Sequence, residues 1–211
     1  MSEPAYCSVY VRVVKRFFDI VISLLMLPFL LLFIVVFGLA IWLEDKGPVF
    51  YNAPRMGKDW KPFKMYKFRS MKVNAPDLVM EDGSTYNGAD DPRMTRVGAF
   101  MRRASIDELP QFLNVLKGDM SVIGPRPDLE RETELYEGDE GEKLLVRPGI
   151  TGWAAVCGRN AIQWHDRLKL DVEYVRNVSF LFDLKIFFLT FKTIFSQEGI
   201  YVETDGEAAA S

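Results

Sequence analysis

The sequence predicts a mostly helical α+β chain with an N-terminal re-entrant membrane helix, a small β-hairpin and interfacial amphipathic helices. Three observations carry this expectation. Residues 20–43 hold no charged side chain. Two β-prone segments between Val49 and Phe68 bracket a turn rich in Pro, Gly and Asp. Residues 179–195 alternate Phe and aliphatic residues with isolated charges. The 211 residues suit one domain of ordinary size with an appended membrane element. A hydrophobic fraction of 49% and 16 phenylalanines exclude a disordered chain and permit a substantial core.

The apolar run comes first. A straight helix of that length reaches about 36 Å, enough to cross a hydrocarbon layer of about 30 Å. Soluble core helices are rarely apolar on every face for so long. Pro28 lies inside the run, removes a backbone hydrogen bond there and marks the expected break. Basic residues flank both ends: Arg12, Lys15 and Arg16 before it, and eight basic residues against one acidic residue in 46–72 after it. Positive flanks prefer the cytoplasmic side, so a helix that enters, bends and returns is favoured over a spanning one. Gly38-Leu39-Ala40 imitates a signal cleavage site, but the run is too long for a signal core. The basic block suits anionic partners such as lipid headgroups or phosphorylated ligands. Nothing points to nucleic acid.

Val49–Tyr51 and Phe63–Phe68 are the expected hairpin strands, turning at Pro54, Gly57 and Asp59. Residues 74–92 read as a loop able to act as a lid, and 98–117 as helix interrupted near Pro110 and stopped by Gly118. Residues 128–142 carry eight acidic residues and one basic one, a solvated surface away from anionic substrates. Residues 179–195 are too charged to span and suit a helix lying in the membrane interface. The chain therefore divides into a membrane element (1–45), a catalytic domain (46–202) and a disordered acidic tail (203–211). Cys7 and Cys157 form no disulfide framework, and the single histidine, His165, suits a structural or surface role.

Ser105 and Glu108 match a capping box, and Pro110 suits a first helical turn, so Asp107 and Glu108 fall at a helix start. The partial positive charge there favours ionised carboxylates. Such a carboxylate can attack phosphorus, and its neighbour can hold Mg²⁺. On its own, an Asp-Glu pair at a helix start is ordinary capping. Three basic motifs add weight: Lys67-Phe68-Arg69, Gly124-Pro125-Arg126-Pro127, and Arg147-Pro148-Gly149-Ile150-Thr151-Gly152-Trp153 followed by Gly158-Arg159-Asn160. Arginines on rigid turns match phosphate oxygens, and an indole can stack on a base or sugar. Together they suggest a substrate bearing a diphosphate.

The order of Lys15-Arg16-x-x-Asp19, Gly47-Pro48-Val49-Phe50, Lys67-Phe68-Arg69-Ser70-Met71, Asp107-Glu108-Leu109-Pro110-Gln111, Asn114–Ser121, Ile123–Pro127 and Arg147–Trp153 resembles the bacterial sugar transferases, the monotopic phosphoglycosyl transferases. The match runs from about Lys15 to Phe195. The resemblance implies a re-entrant helix and a catalytic domain on the cytoplasmic face of the bacterial inner membrane. It implies a Mg²⁺-dependent ping-pong reaction in which a UDP-sugar passes its sugar-1-phosphate to polyprenyl phosphate, whose product downstream glycosyltransferases extend. Carried onto this chain, Asp107 is the nucleophile and Glu108 its metal-associated partner. Lys67, Arg69, Arg102 and Arg126 match phosphate-side positions, and Arg147, Trp153 and Arg159 match nucleotide-sugar positions. Two departures stand out. Leu27 precedes Pro28 where the family has a small residue, and Ala155 and Cys157 replace Gln and Asn, which leaves the sugar open. The pathway, polyprenol and oligomeric state are not legible. Two other readings are an inactive membrane scaffold of the same fold, which releases no UMP, and a conventional glycosyltransferase, which releases UDP.

Overall fold

A computed structural model describes residues 4–80, 83, 85, 86, 88, 91–158 and 161–196. Its architecture is the expected one in outline: mostly helical, with a hairpin and a long apolar N-terminal helix. A π-helical turn at Tyr10–Val14 feeds directly into α1, Lys15–Asp45. Pro28, the expected break, lies inside one continuous helical segment. It removes the N–H that would bond the Leu24 carbonyl, which loosens the helix locally without ending it. The end comes at Lys46, in the left-handed conformation (φ 59°), whose N–H caps the Trp42 carbonyl and whose ammonium sits 3.9 Å from the Trp42 ring centroid.

One stripe of α1 faces inward, through Lys15, Asp19, Ser23, Leu30, Gly38 and Ile41. Leu24, Leu25, Phe29, Leu31, Leu32, Val35, Val36, Leu39 and Leu43 remain exposed. The most apolar 18 residues have a mean hydropathy of 3.2 and are only 11% buried. A core helix of a water-soluble protein would be buried over such a stretch, so membrane association accounts for it.

The hairpin forms from β1, Ala53–Met56, and β2, Pro62–Met65, paired antiparallel with Ala53 opposite Met65. The regular strands lie closer to the turn than expected, because Pro54 and Pro62 are tolerated on this short ribbon. The ladder continues irregularly to a Phe50–Phe68 bridge with stacked rings, so the segments expected as strands do pair. Helix α2, Arg96–Arg103, is capped by the Thr95 hydroxyl, which accepts from the Gly98 amide. A 3₁₀ turn, Ile106–Glu108, leads to α3, Gln111–Lys117, which Gly118 stops in the left-handed conformation (φ 99°) as expected. The Ser105 capping box is a correction. Ser105, at the N-cap of the 3₁₀ turn, is itself left-handed (φ 55°) rather than extended, and its hydroxyl makes no cap.

A second sheet, unread in the sequence, joins β3, Ser121–Ile123, to β4, Gly149–Thr151, in parallel. Between them lie α4, Glu130–Thr133, and a 3₁₀ segment, Glu140–Leu145. Helices α5, Trp153–Cys157, α6, Trp164–Asn177, and α7, Phe180–Ser196, complete the described chain. The main core gathers Met65, Val115, Met120, Val122, Ile123, Val146, Tyr174, Val175, Val178 and Ile186, with Tyr10, Val11 and Ile22 packed against it. The start of α1 therefore belongs to the same core as the rest of the molecule. Residues 203–211, expected as a tail, lie outside the described residues.

The motif Lys15-Arg16-x-x-Asp19 makes this attachment. The Lys15 ammonium meets Asp183 on α7 at 2.5 Å, and Tyr10 and Tyr174 donate to the same carboxylate at 2.6 Å each. Arg16 donates to the Val115 and Leu116 carbonyls at the end of α3. Asp19 accepts from the Ser121 hydroxyl and the Val122 amide. These buried polar groups are satisfied within the fold, as burial demands.

Candidate active site

Asp107 lies in the 3₁₀ turn between α2 and α3, and two features fix it there. Asn114 of α3 acts as a strand edge: its Oδ1 accepts from the Tyr66 amide and its Nδ2 donates to the Lys64 carbonyl, both at 2.8 Å. The Phe68 amide then donates to the Asp107 carbonyl at 3.0 Å. The end of the hairpin is thus stitched along the turn, and Lys67 comes to rest beside both carboxylates.

Charges alternate through the site. The Lys67 ammonium is 2.8 Å from Asp107 Oδ2 and 3.5 Å from Glu108 Oε1, and Arg126 reaches the same Glu108 oxygen at 3.2 Å. Asp107 is 2% exposed. Lys67 meets Asp107 Oδ2 as an ion pair, and no described group donates a hydrogen bond to that oxygen. A buried, charge-compensated carboxylate with an open lone pair is well suited to act as a nucleophile. Coulombic attraction to Glu108 raises the pKa of the half-exposed Arg126 above the ordinary arginine value.

Arg126 is aimed by glycines at a chain crossing. A Cβ on Gly124 would lie 2.5 Å from the Arg147 carbonyl oxygen, and one on Gly149 only 2.1 Å from the Gly124 amide nitrogen. The β3–β4 pair can approach this closely only without side chains there, and Pro125 and Pro127 then stiffen the loop.

The remaining expected positions spread out. Arg102, at the end of α2, donates to the Ser70 hydroxyl at 3.3 Å. Arg69 is committed elsewhere: its guanidinium forks onto Asp45 at 2.5 and 2.6 Å and donates to the Pro48 and Met71 carbonyls. It clamps the end of α1 to the hairpin. Arg147 donates to the Gly118 carbonyl and lines a small cavity with Lys15, Asp19 and Tyr174 at the base of α1. Trp153 donates to Glu173 and packs edge-on against Phe182, with the Lys185 ammonium over its ring. No described contact joins Arg147 or Trp153 to the Asp107–Glu108 pair. Arg159 lies outside the described residues. Asn114 and Asp45 were missed by sequence reasoning, because their partners lie 20 or more residues away.

No cluster of three or more His, Cys, Asp or Glu occurs among the described residues. The donor set fits Mg²⁺ in the manner of phosphate enzymes, where one or two carboxylates share the ion with substrate phosphates. Glu108, beside Asp107, is the carboxylate that could take part.

Comparison with known proteins is concordant along nearly the whole chain. The family described as Bacterial sugar transferase matches residues 10–197. The uncharacterized sugar transferase EpsL of Bacillus subtilis is 42% identical over 188 residues, covering 89% of this chain and 90% of EpsL. The UDP-glucose:undecaprenyl-phosphate glucose-1-phosphate transferase of Escherichia coli is 44% identical over 187 residues, 85% of this chain but 39% of that protein. The undecaprenyl-phosphate galactose phosphotransferase of Salmonella typhimurium is 39% identical, across 90% of this chain and 42% of its own length.

Proposed function

Since the chain belongs to the bacterial sugar transferase family, we propose that it moves a sugar-1-phosphate from a UDP-sugar onto polyprenyl phosphate in two displacements on Asp107. The observation that carries this reading is the buried Asp107 carboxylate, compensated by Lys67 yet left with an open lone pair. In the first displacement a carboxylate oxygen of Asp107 bonds to the sugar-bearing phosphorus. The bond from that phosphorus to the bridging oxygen breaks, and UMP departs with the electron pair. In the second, an oxygen of the lipid phosphate bonds to the same phosphorus. The aspartyl–phosphorus bond breaks, and the carboxylate is restored beside polyprenyl-diphosphate-sugar.

Lys67, 2.8 Å from the nucleophile, meets charge that develops on the transferred phosphate, while Arg126 can turn from Glu108 to the donor. Glu108, with substrate phosphates, would hold Mg²⁺, which when bound neutralises phosphate charge. Two features support work at a membrane surface with both ends of α1 on one side, and the basic flanks of α1 favour the cytoplasmic one. The exposed side of α1 is apolar, and both of its ends dock on one domain. Lys15 pairs with Asp183 at one end and Asp45 with Arg69 at the other. Two ends tied to the same set of elements favour one side of a bilayer, which supports the re-entrant reading.

The test is to incubate membrane-reconstituted enzyme with a panel of UDP-sugars and polyprenyl phosphate and identify the nucleotide released. UMP is expected, together with a phosphosugar adduct on the protein when acceptor is withheld. UDP release, or product formation without any adduct, would remove the two-step reading. Asp107→Asn should lose at least about 10⁴-fold in turnover while still sedimenting with membranes.

A further inference from the structure

Arg55 is a partly buried cation that the reaction as described does not use. The register that pairs Phe50 with Phe68 and Ala53 with Met65 sets Tyr51, Ala53 and Arg55 on one face of the hairpin, together with Phe63, Met65 and Lys67. Lys67 on that face reaches Asp107 and Glu108. Farther along, the Met56 amide donates to the Asp128 carbonyl at 2.9 Å, which pins Arg55 beside the Pro125-Arg126-Pro127 loop.

Arg55 is poorly satisfied where it lies. Its side chain is 19% exposed, and its nearest carboxylate, Glu132, is 3.9 Å away. Glu132 is already engaged: one oxygen accepts from the Thr85 amide and hydroxyl, and the other accepts from the Leu129 amide. The Arg55 Nε is buried with no partner. Burial, and next the positive charge of Arg126, lower the pKa of Arg55. Glu132, Asp128 and Tyr51 oppose that effect without cancelling it. A half-paired guanidinium with little access to water is costly unless an anion completes it.

We propose that Arg55 and Arg126 form a two-arginine clamp for the donor diphosphate, with Arg55 holding the phosphate that departs as the nucleoside monophosphate. This rests on the transferase reading above. Cations then follow the reaction coordinate: Lys67 beside the attacking carboxylate, Arg126 between, and Arg55 at the leaving phosphate. As the bond to the bridging oxygen breaks, charge gathers on that phosphate and the guanidinium meets it, with no proton required.

The test measures UMP and inorganic pyrophosphate binding by calorimetry on the full chain in nanodiscs, for native protein, Arg55→Met and Arg55→Lys. UMP release kinetics and melting temperature accompany the binding data. Arg55→Met should weaken UMP binding at least about 10-fold and raise the donor KM, with acceptor KM and melting temperature unchanged. Arg55→Lys should recover only part of the affinity, because an ammonium lacks the fork. A native enzyme that binds neither probe removes the transferase reading and the clamp together. A native binder whose Arg55→Met variant binds equally well removes the clamp alone. Matching losses for donor and acceptor with a lower melting temperature would assign Arg55 to the fold and overturn the proposal. If Arg55→Met does not fold, a folded Arg55→Lys with native UMP affinity overturns it equally.

Discussion

Lys67 is the residue on which the charge balance of the site turns. It is the only described cation within ion-pairing distance of Asp107, and it also reaches Glu108. Without it two adjacent carboxylates would face an anionic substrate, one of them nearly sealed from water. Lys67→Met should therefore slow the first half-reaction by about 10²–10³-fold, while Lys67→Arg retains more because the charge survives. Single-turnover UMP release measures this, and a methionine variant with native rates would mean that Lys67 only packs. At this scale the sequence was informative where chemistry is local. The adjacent pair Asp107-Glu108 and the arginine between two prolines were visible as strings. Arg69 shows the opposite case. Its motif is as legible as Lys67, two residues away, but its guanidinium is bound to Asp45, 24 residues earlier in the chain. Alternation along the strand sends neighbours i and i+2 to the same face, not to the same partner.

Elements are held in place here by buried ion pairs as much as by apolar packing. The Lys143 ammonium, 2% exposed, lies 2.6 Å from Asp128 and 2.8 Å from Asp171. It joins the segment after the Arg126 loop to α6, and Tyr136 donates to Asp128 from a third direction. Burial alone would raise the Asp128 pKa, but Lys143 and Tyr136 outweigh it and hold the group below its ordinary value. Burial raises Asp171, with a further push from Asp128. The signs oppose: Asp128 stabilises the fold at neutral pH and loses that contribution as pH falls through its depressed value. Asp171 favours the fold below its ordinary pKa, and that contribution is lost as pH rises through its elevated value. Lys143→Met takes from both buried carboxylates the cation that pairs with them, so it should cost about 3–5 kcal/mol at neutral pH. The deficit should narrow toward mildly acid pH as the pair takes up protons. Denaturant titrations of both proteins across that range measure it, and a pH-independent deficit would mean that lost packing dominates. None of this network was legible, since its ion pairs join residues 15 and 28 apart. The strands β3 and β4 escaped notice for a related reason: three residues are too few to show a period.

For the whole molecule the question is which side of the bilayer each end of α1 occupies. Phe180 meets both Tyr10 and Phe18 where α1 begins, and Phe37 stacks on Phe100 toward its other end. Phe17, Phe100, Leu181 and Phe188 are exposed nearby, so the apolar surface of α1 continues onto α2 and α7. A helix crossing the membrane would carry Lys15 and Asp45 to opposite faces and break one anchor, exposing Asp183 or Arg69 to a missing partner. Losing a partner from a buried pair costs several kcal/mol, more than a bend near Pro28 requires. The two native cysteines report on the choice without engineering. Cys7 precedes α1 and Cys157 ends α5 in the catalytic part, and both are free thiols. With both ends inside, an impermeant maleimide added to intact cells labels neither, and permeabilisation exposes Cys157 at least. Detergent or denaturant then verifies that Cys7, only partly exposed, is chemically competent. Labelling of Cys7 in intact cells with Cys157 still protected would place the N-terminus outside and make α1 a spanning helix. The anchors at Asp183 and Arg69 could not then both hold, and the fold around Asp107 would need a different account.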